Sequence, residues 1–433
     1  MDKQKIRQYL VDFQERKFED LIPRNFNISI SKKIHSLIGS RRVGKTYLLF
    51  QKIKELEKEK INRKQIIYIN FESPLLEGLK FSEIREILEI QAEIFPEFLS
   101  NKIYLFIDEP QVIEKWEIAI RDLHDNFDSN IFITGSSSKL LSKEISTTLR
   151  GRAIPIVIFP LSFKEFLKFK NFEFNINQLS TETKSKIINL YSEYLSFGGY
   201  PEIVLEKNKD EKLKILKTYF DLIIYKDLID RYKIKNTKII KWLINYFISS
   251  TTKEVSLNKI FLNLKSRKIK ISKNTLYEYF SILEDSFFIF LLRKMSHSIK
   301  NEDISTPKIY LNDIGFLNLF SEEDMGKKME NMVYLQLLRE KENSSTKDVF
   351  YWKSLDNREV DFIIRDKNKI IQAIQVCYKI TDENKDREIN SLISCLESFN
   401  LKGGLILTND LEKEEIILGK KIKFIPLWKW LLI

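Results

Sequence analysis

The sequence contains little cysteine, little histidine and no long apolar run. Only Cys377 and Cys395 occur among 433 residues, which argues against a disulfide framework and for a reducing cytoplasm. The three histidines, His35, His124 and His297, are scattered, so no His/Cys metal site is expected. No stretch approaches the roughly 18 apolar residues that a spanning helix requires, and the amino terminus lacks a secretory apolar core. We therefore expect a cytoplasmic protein with no membrane partner.

The residues that are abundant are typical of a globular protein. Hydrophobic residues make up 43% and charged residues 31% of the chain, whose length allows about two to four domains. The formal net charge is +11. This excess reflects either a polyanionic partner, such as nucleic acid, or a lysine-rich composition without such a partner.

Residues 37–50, "LIGSRRVGKTYLLF", place the pattern G-x-x-x-x-G-K-T between an apolar strand pattern and helical spacing. This is the context of a P-loop, in which backbone N–H groups and a helix N-terminus cradle phosphates. Lys45 would contact the β and γ oxygens of ATP or ADP, and Thr46 would hold Mg²⁺. The alternative is a glycine-rich turn that happens to carry Lys and Thr. The predicted nucleotide-binding residues are Gly39, Ser40, Arg41, Arg42, Val43, Gly44, Lys45, Thr46 and Tyr47.

A P-loop predicts a second motif, an apolar strand that ends in acidic residues. Residues 103–109, "IYLFIDE", supply it. Asp108 would reach Mg²⁺ through water, and Glu109 would polarise the attacking water. A buried strand that ends in two solvated carboxylates is the alternative.

Further strand patterns at residues 65–72 and 130–138 alternate with helical or polar segments. Such alternation predicts an α/β fold with a parallel sheet covered on both faces and with ligand at the strand carboxyl ends. Thr134 or Ser136, at the end of the last of these strands, would then sense the γ-phosphate. A simple Gly/Ser turn explains them equally well.

The segments "IGSRRVGKTYLL", "FIDEPQVIEKWE", "IFITGSSSKLL", "LRGRAIPIVIFPLSFKEFL" and "FGGYPEIV" follow one another along the chain. Their order resembles the archaeal and bacterial AAA+ ATPases of the signal-transduction-like (STAND-related) branch, over nearly the whole chain. The resemblance implies a P-loop NTPase core that binds and hydrolyses ATP, followed by a carboxy-terminal nuclease-like domain.

The resemblance also suggests an arginine finger in "LRGR", which contains Arg150 and Arg152. Arg152 is the predicted catalytic residue, because a cation there offsets charge on the γ-phosphoryl oxygens and contributes roughly 10³- to 10⁵-fold in rate. The alternative is a surface arginine, or one paired with a carboxylate of its own chain. A finger that acts on a neighbouring subunit requires a homo-oligomer, for which a hexamer is one candidate.

Residues 160–236 read as the helical lid of the ATPase. Ser162 precedes an apolar helical pattern, Gly198 and Gly199 form a turn between helices, and residues 211–235 are strongly helical.

Residues 241–300 hold eleven Lys and Arg against four Asp and Glu, a local net charge of +7. Three helical patterns and a strand pair over this region predict a winged helix-turn-helix at residues 237–312, whose third helix begins after an N-cap at Ser272. Its leading turns carry four residues suited to phosphate and base contacts, namely Lys273, Asn274, Thr275 and Tyr277. Winged helices also serve as protein-interaction modules or lid extensions, so DNA binding is one of two interpretations.

Residues 326–433 look similar to the restriction-endonuclease-like, PD-(D/E)XK fold, whose metal site takes a helical Glu, a strand Asp and an E-x-K on the next strand. Glu330 and Asp361 match this pattern, whereas Gln375 and Cys377 stand at the E-x-K positions. A neutral amide and a thiol neither hold Mg²⁺ nor orient water, so nuclease activity is not expected. Residues 369–380 read as one strand, on which Lys379 would share a face with Gln375 and Cys377, so Lys379 is either a substitute for the missing lysine or a solvated residue.

Together these patterns predict an ATPase core at residues 1–159, a lid at 160–236, a winged helix at 237–312 and a degenerate nuclease-like domain at 326–433. The predicted function is that of a DNA-associated oligomeric motor or remodeller. A nucleotide-controlled switch that presents its carboxy-terminal domains to a protein partner is the alternative, and an ATP-regulated nuclease comes third.

Overall fold

The computed structural model describes residues 2–18, 21–26, 28–98, 101–136, 149–296, 298, 302, 304–320 and 324–433. The chain divides into two compact units, Met1–Ile158 and Phe159–Ile433. The predicted boundaries at residues 236 and 312 fall inside the second unit and stay predictions. No helix in the described ranges is both long and apolar enough to cross a membrane.

The amino-terminal unit alternates helices and strands around one five-stranded sheet. In chain order its elements are α1 (Lys3–Glu15), β1 (Ile34–Ile38), α2 (Lys45–Lys58), β2 (Ile66–Asn70), α3 (Ile84–Ile94), β3 (Ile103–Asp108), α4 (Trp116–Asn126), β4 (Ser129–Gly135) and β5 (Ala153–Val157). The strands lie in the order β2-β3-β4-β1-β5, and every pairing is parallel. The predicted parallel α/β fold is therefore confirmed for this unit.

Burial explains why these strands are so apolar. Every position of β1, β3 and β4 is buried, as expected for central strands that helices cover on both faces. β5 pairs only with β1, lies at the sheet edge and is half-exposed. Proline lacks a backbone N–H and would break the hydrogen-bond ladder of a central strand. Pro155 is tolerated because β5 lies at the sheet edge.

The carboxy-terminal unit begins with seven described helices. They are α5 (Phe163–Phe169), α6 (Thr181–Phe197), α7 (Pro201–Leu205), α8 (Lys209–Leu222), α9 (Thr237–Ser249), α10 (Leu257–Ser266) and α11 (Lys273–Asp285). Ser162 caps α5, and α8 continues through wider π-helical turns over Ile223–Asp230. An antiparallel pair follows, formed by β6 (Ile289–Leu292) and β7 (Lys308–Leu311). Three helices and a strand pair thus lie where the sequence predicts them.

A six-stranded mixed sheet forms the rest of this unit, in the order β12-β13-β11-β10-β9-β8. Its elements and the helices around it are α12 (Gly315–Asn318), α13 (Met325–Glu342), β8 (Lys347–Lys353), β9 (Glu359–Asp366), β10 (Lys369–Val376), α14 (Asp382–Ser398), β11 (Gly403–Thr408), β12 (Lys413–Ile417), β13 (Lys420–Pro426) and α15 (Leu427–Trp430). Residues of α14 and of the sheet share one apolar core that includes Leu392, Leu396 and Ile406.

The strand predicted over residues 369–380 is shorter than expected. It ends at Val376, and only the Cys377 N–H continues the ladder by donating to the Leu407 carbonyl at 2.9 Å. Beyond it, the Asn384 amide donates to the Lys379 carbonyl at 2.9 Å, while Asn384 also takes part in the cap that starts α14. The prediction that Lys379 shares a strand face with Gln375 is therefore wrong, because the chain turns to enter α14.

Candidate nucleotide site and carboxylate cluster

The loop between β1 and α2 has the backbone conformation of a phosphate cradle. Gly39 has φ +157°, and a Cβ there would lie 2.2 Å from the Ile158 carbonyl oxygen. Gly44, with φ +94°, is the N-cap of α2, and Arg42 also takes a positive φ of 66°. Glycine is therefore required at both ends of the loop, and the α2 N-terminus faces the space that the loop encloses.

The Lys45 side chain lies within this loop and is only 6% exposed. Its ammonium donates to the carbonyl oxygens of Gly39 and Ser40, each at 3.0 Å, and lies 4.0 Å from Glu109 Oε1. Lys45 thus places a buried cation at the predicted phosphate position.

Asp108, the last residue of β3, accepts hydrogen bonds from three hydroxyl groups. Thr46 Oγ1 and the Tyr68 hydroxyl donate to Oδ2 at 2.8 and 2.9 Å, and Thr134 Oγ1 donates to Oδ1. Burial and the charge of Asp108 raise the pKa of Tyr68, so the phenol stays a donor. Thr46 and Asp108 supply hard oxygen atoms of the kind that Mg²⁺ prefers. Sequence reasoning missed Tyr68, although a hydroxyl on the strand paired with β3 was a usable signal.

Glu109 leaves the strand direction because its φ is +51°. Ser136 Oγ and the Gln111 amide donate to its Oε2, the former at 3.1 Å, and its N–H donates to Thr134 Oγ1 at 3.2 Å. The structure therefore brings Thr134 and Ser136 to the two acidic residues. Their role as γ-phosphate sensors stays a prediction.

The other loop residues fill structural positions around the cradle. Ser40 and Val43 are buried, Arg41 Nη1 lies 3.5 Å from Glu72 Oε1, and the Tyr47 side chain is largely exposed. Arg24, which the sequence analysis did not single out, donates to the Val43 carbonyl at 3.0 Å. The segment before β1 thus contacts the loop.

A cavity of about 930 Å³ lies beside the ends of β2 and β3. Residues 71–74, 76–82 and 112–115 line it. Neither Lys45 nor Asp108 is among its lining residues, so the cavity is separate from the loop that would hold phosphates.

Arg152 forms a two-point ion pair with Asp125, with Nε–Oδ1 and Nη2–Oδ2 both 2.8 Å. Hydrogen bonds from Arg152 and His124 lower the pKa of Asp125 to about 2. The Arg152 carbonyl accepts from the Ile34 N–H at the start of β1, whereas the loop follows the other end of that strand. At roughly 3.3 Å per residue, about 16 Å of strand separates the two. Arg152 therefore lies away from the loop of its own chain, and a finger role stays a prediction for a neighbouring subunit.

The predicted DNA-contact residues lie at the start of α11. Ser272 caps the helix by accepting from the Thr275 N–H at 3.0 Å, as predicted. Lys273, Asn274 and Tyr277 are exposed, and Lys273 Nζ lies 5.8 Å from the Tyr277 ring centroid. The leading turn of α11 thus presents a cation and an aromatic ring to solvent.

Glu330 of α13 and Asp361 of β9, two predicted nuclease-site residues, do meet in the structure. Lys308 of β7 stands between them, and its ammonium also contacts Glu359. Although burial opposes the charged form, the carboxylates raise the pKa of Lys308 well above its ordinary value. Burial and the Asp361 charge raise the pKa of Glu330. The sequence analysis did not single out Lys308. A lysine within the apolar strand pattern of residues 308–311 was a usable sign of a buried charge with an acidic partner.

Gln375 joins this cluster and Cys377 does not. The Gln375 side-chain carbonyl accepts from the Asp361 N–H at 3.2 Å, and its amide donates to Glu388 at 2.6 Å. Cys377 Sγ instead donates to the Lys379 carbonyl at 3.3 Å, and burial raises the pKa of this thiol to about 11. Within the described residues, no set of three His, Cys, Asp or Glu side chains is arranged to hold a metal ion.

A parallel sheet, a loop that closes around a buried lysine and two acidic residues at the carboxyl end of β3 define a P-loop NTPase fold. Residues 31–167, which include most of the amino-terminal unit, match the AAA domain model. Residues 188–325 and 325–430 match two domains of unknown function, DUF8612 and DUF4143. Neither description names a winged helix or a nuclease.

The chain belongs to the same family as the uncharacterized protein MJ1544 of Methanocaldococcus jannaschii. The two are 41% identical over 421 residues, which cover 95% of this chain and 91% of that protein. An uncharacterized protein of Haemophilus influenzae is 32% identical over 407 residues, covering 91% and 94%. Among solved structures, the Aeropyrum pernix ORC1 protein in complex with DNA aligns at 12% identity and a TM-score of 0.31, over 74% of this chain and 92% of that one. A likeness at that level supports no conclusion about the fold or function of this chain.

Proposed function

We propose that this protein binds ATP with Mg²⁺ in the loop at residues 39–46 and hydrolyses it. The observation that supports this most is the convergence of Lys45, Thr46, Asp108 and Glu109 at one edge of the sheet. If the loop were only a glycine-rich turn, it would not require the ends of two separate segments to converge in this way.

Each residue has a role that follows from its position. The Lys45 ammonium, which now contacts loop carbonyls, would donate to β and γ oxygens of the nucleotide. Thr46 and Asp108 would hold Mg²⁺, which neutralises phosphate charge when bound. Glu109 would accept a proton from the attacking water, while Ser136 and Gln111 orient its carboxylate. Arg152 would complete the site of a neighbouring subunit, so we propose a homo-oligomer, with a hexamer among the candidates.

Replacing Lys45 with alanine tests nucleotide binding. The change removes a buried cation and at least two charge-assisted hydrogen bonds of roughly 1.5–3 kcal/mol each. We therefore expect the affinity for Mg²⁺·ATP to fall at least ~100-fold in a calorimetric or fluorescence titration. Lys58→Ala, at the exposed end of α2, is the control and should bind as the wild type does. Unchanged affinity of the Lys45 variant would rule out the loop as the nucleotide site.

We further propose that nucleotide turnover drives a DNA-associated motor or remodeller. What supports this is the local charge of +7 over residues 241–300, together with the exposure of seven of its described cations. These exposed side chains are Lys253, Lys259, Lys265, Arg267, Lys268, Lys270 and Lys273. The alternative is a nucleotide-controlled switch for a protein partner, and a nuclease is the least supported.

The salt dependence of duplex DNA binding distinguishes the motor from the switch. If about five phosphates are neutralised, the logarithm of the affinity should fall with the logarithm of salt concentration at a slope of about −4 to −5. Alanine at positions 268, 270 and 273 should make this slope shallower by about 3. The matched control removes three exposed lysines outside the segment: Lys369→Ala, Lys402→Ala and Lys423→Ala. A flat slope in the wild type, together with no ATPase stimulation by duplex, branched or single-stranded DNA, would favour the switch.

A further inference from the structure

The Lys308 ammonium lies at the meeting point of three carboxylates. Its Nζ is 2.7 Å from Glu359 Oε1, 3.1 Å from Glu330 Oε1 and 3.2 Å from Asp361 Oδ1. The side chain is only 3% exposed. The carboxylates come from α13 and β9, whereas the lysine comes from β7. Lys308 thus contacts all three carboxylates, while Lys353 Nζ lies 3.8 Å from Glu359 Oε2 at the rim of the cluster.

Two of these carboxylates also accept a hydrogen bond from a group other than Lys308. The Tyr310 hydroxyl donates to Glu330 Oε1 at 2.7 Å, and the Val376 N–H donates to Asp361 Oδ2 at 2.9 Å. Glu359 and Asp361 are two residues apart on β9, so both project from the same face of the strand. The three carboxylate oxygens therefore surround the lysine nitrogen, at distances set by the ammonium and not arranged, as they stand, to hold a metal ion.

We infer that Lys308 is the resident cation of this site, that it takes the position of a divalent metal ion between Glu330, Glu359 and Asp361, and that it keeps the site metal-free. Carboxylate oxygens are the ligands that hard divalent cations take, and Ca²⁺ accepts them at about 2.3–2.6 Å with flexible geometry. The observed N–O distances are slightly longer, as an ammonium requires. An ion that replaced Lys308 would thus need only a small inward movement of each carboxylate. The inference depends on neither nucleotide nor DNA binding.

Lys308→Met tests it, because methionine keeps the length of the side chain and removes its charge. The probe is Tb³⁺, a luminescent stand-in for Ca²⁺ that neighbouring tyrosines sensitise. Tyr310 contacts the cluster, and the Tyr351 ring centroid lies 5.7 Å from Lys308 Nζ. We expect the variant to gain one tyrosine-sensitised Tb³⁺ site that Ca²⁺ displaces with a dissociation constant on the order of 10⁻⁵ to 10⁻³ M. The wild type, measured without nucleotide, should lack this emission.

The control removes the ligands as well as the lysine. Lys308→Met combined with Glu330→Gln, Glu359→Gln and Asp361→Asn has no buried charge to neutralise, so it should fold without ions and bind none. If Lys308→Met alone needs an ion to fold, Ca²⁺ added during refolding should restore it.

Three results would overturn the inference. The first is sensitised emission from the wild type that Glu330→Gln abolishes, because the site would then bind metal despite Lys308. The second is a folded Lys308→Met protein without a new ion site. The third is a Lys308→Met protein that Ca²⁺ cannot refold while the four-site variant folds, which would make Lys308 a structural counter-ion only.

Discussion

Replacing Glu109 with glutamine is expected to slow ATP hydrolysis by about 10²- to 10⁴-fold and to leave ATP binding intact. Glutamine keeps the shape of the side chain and can still accept a hydrogen bond from Ser136, but it cannot take a proton from water. The Lys45 contacts with the loop carbonyls do not involve Glu109, so the phosphate cradle should persist. Phosphate release and equilibrium ATP binding are the two measurements.

Glu114→Gln is the matched control for this variant. It makes the same chemical change at an exposed position five residues further along, and it should turn over as the wild type does. Turnover of Glu109→Gln close to the wild-type rate would reject Glu109 as the base. Because we expect Glu109→Gln to hold ATP without hydrolysing it, its mass with ATP, with and without DNA, should report the subunit number. A persistent monomer would contradict an Arg152 finger that acts between subunits.

The candidate nucleotide site could be anticipated from the sequence because its signals are local. Lys45 and Thr46 lie in one short motif, and Asp108 and Glu109 end one apolar strand, so parallel topology alone brings the two motifs to one edge. Tyr68 and Gln111 were not anticipated. Neither belongs to a motif, and each acts through a hydrogen bond that only the folded backbone defines.

The fifth strand of the amino-terminal sheet was missed for a different reason. Residues 153–157 include Pro155, which weakens any strand pattern. An edge strand has hydrogen-bond partners on one side only, so the missing N–H of the proline is compatible with β5. Edge status depends on the order of the strands, which a single sequence does not display.

Two buried polar contacts of the carboxy-terminal unit join residues far apart in the chain, and for that reason the sequence did not predict them. Lys308 meets Asp361 across 53 residues, and the Gly199 N–H donates to Asp313 Oδ2 across 114. Each residue looks ordinary in its own segment. Residues 198 and 199 were interpreted as a turn, which is correct locally but leaves out the carboxylate against which the turn packs.

That carboxylate makes Gly198 the most restricted glycine described in this unit, and Gly198→Ala should lower the free energy of unfolding by roughly 2.5–6 kcal/mol. A Cβ at this position would lie 1.7 Å from Asp313 Oδ1. Asp313 cannot move aside freely, because it is buried and accepts from the Gly199 and Gly315 N–H groups at 2.8 Å each. The estimate combines one lost charge-assisted hydrogen bond, roughly 1.5–3 kcal/mol, with about 1–3 kcal/mol for a non-glycine residue at φ +77° and ψ −162°, a region essentially confined to glycine.

Gly419→Ala separates these two contributions. Gly419 has nearly the same φ, +75°, lies in the same unit and has no atom within 4 Å of its Cβ position, so only the cost of a positive φ, about 1–2 kcal/mol, should remain there. Both cysteines of the chain, Cys377 and Cys395, are buried in this unit, so their thiol reactivity in increasing urea reports its unfolding alone. Equal losses in the two variants would mean that Asp313 yields readily and does not hold the turn. A loss at least twice as large in Gly198→Ala would show that this single carboxylate ties the turn between α6 and α7 to the segment before α12.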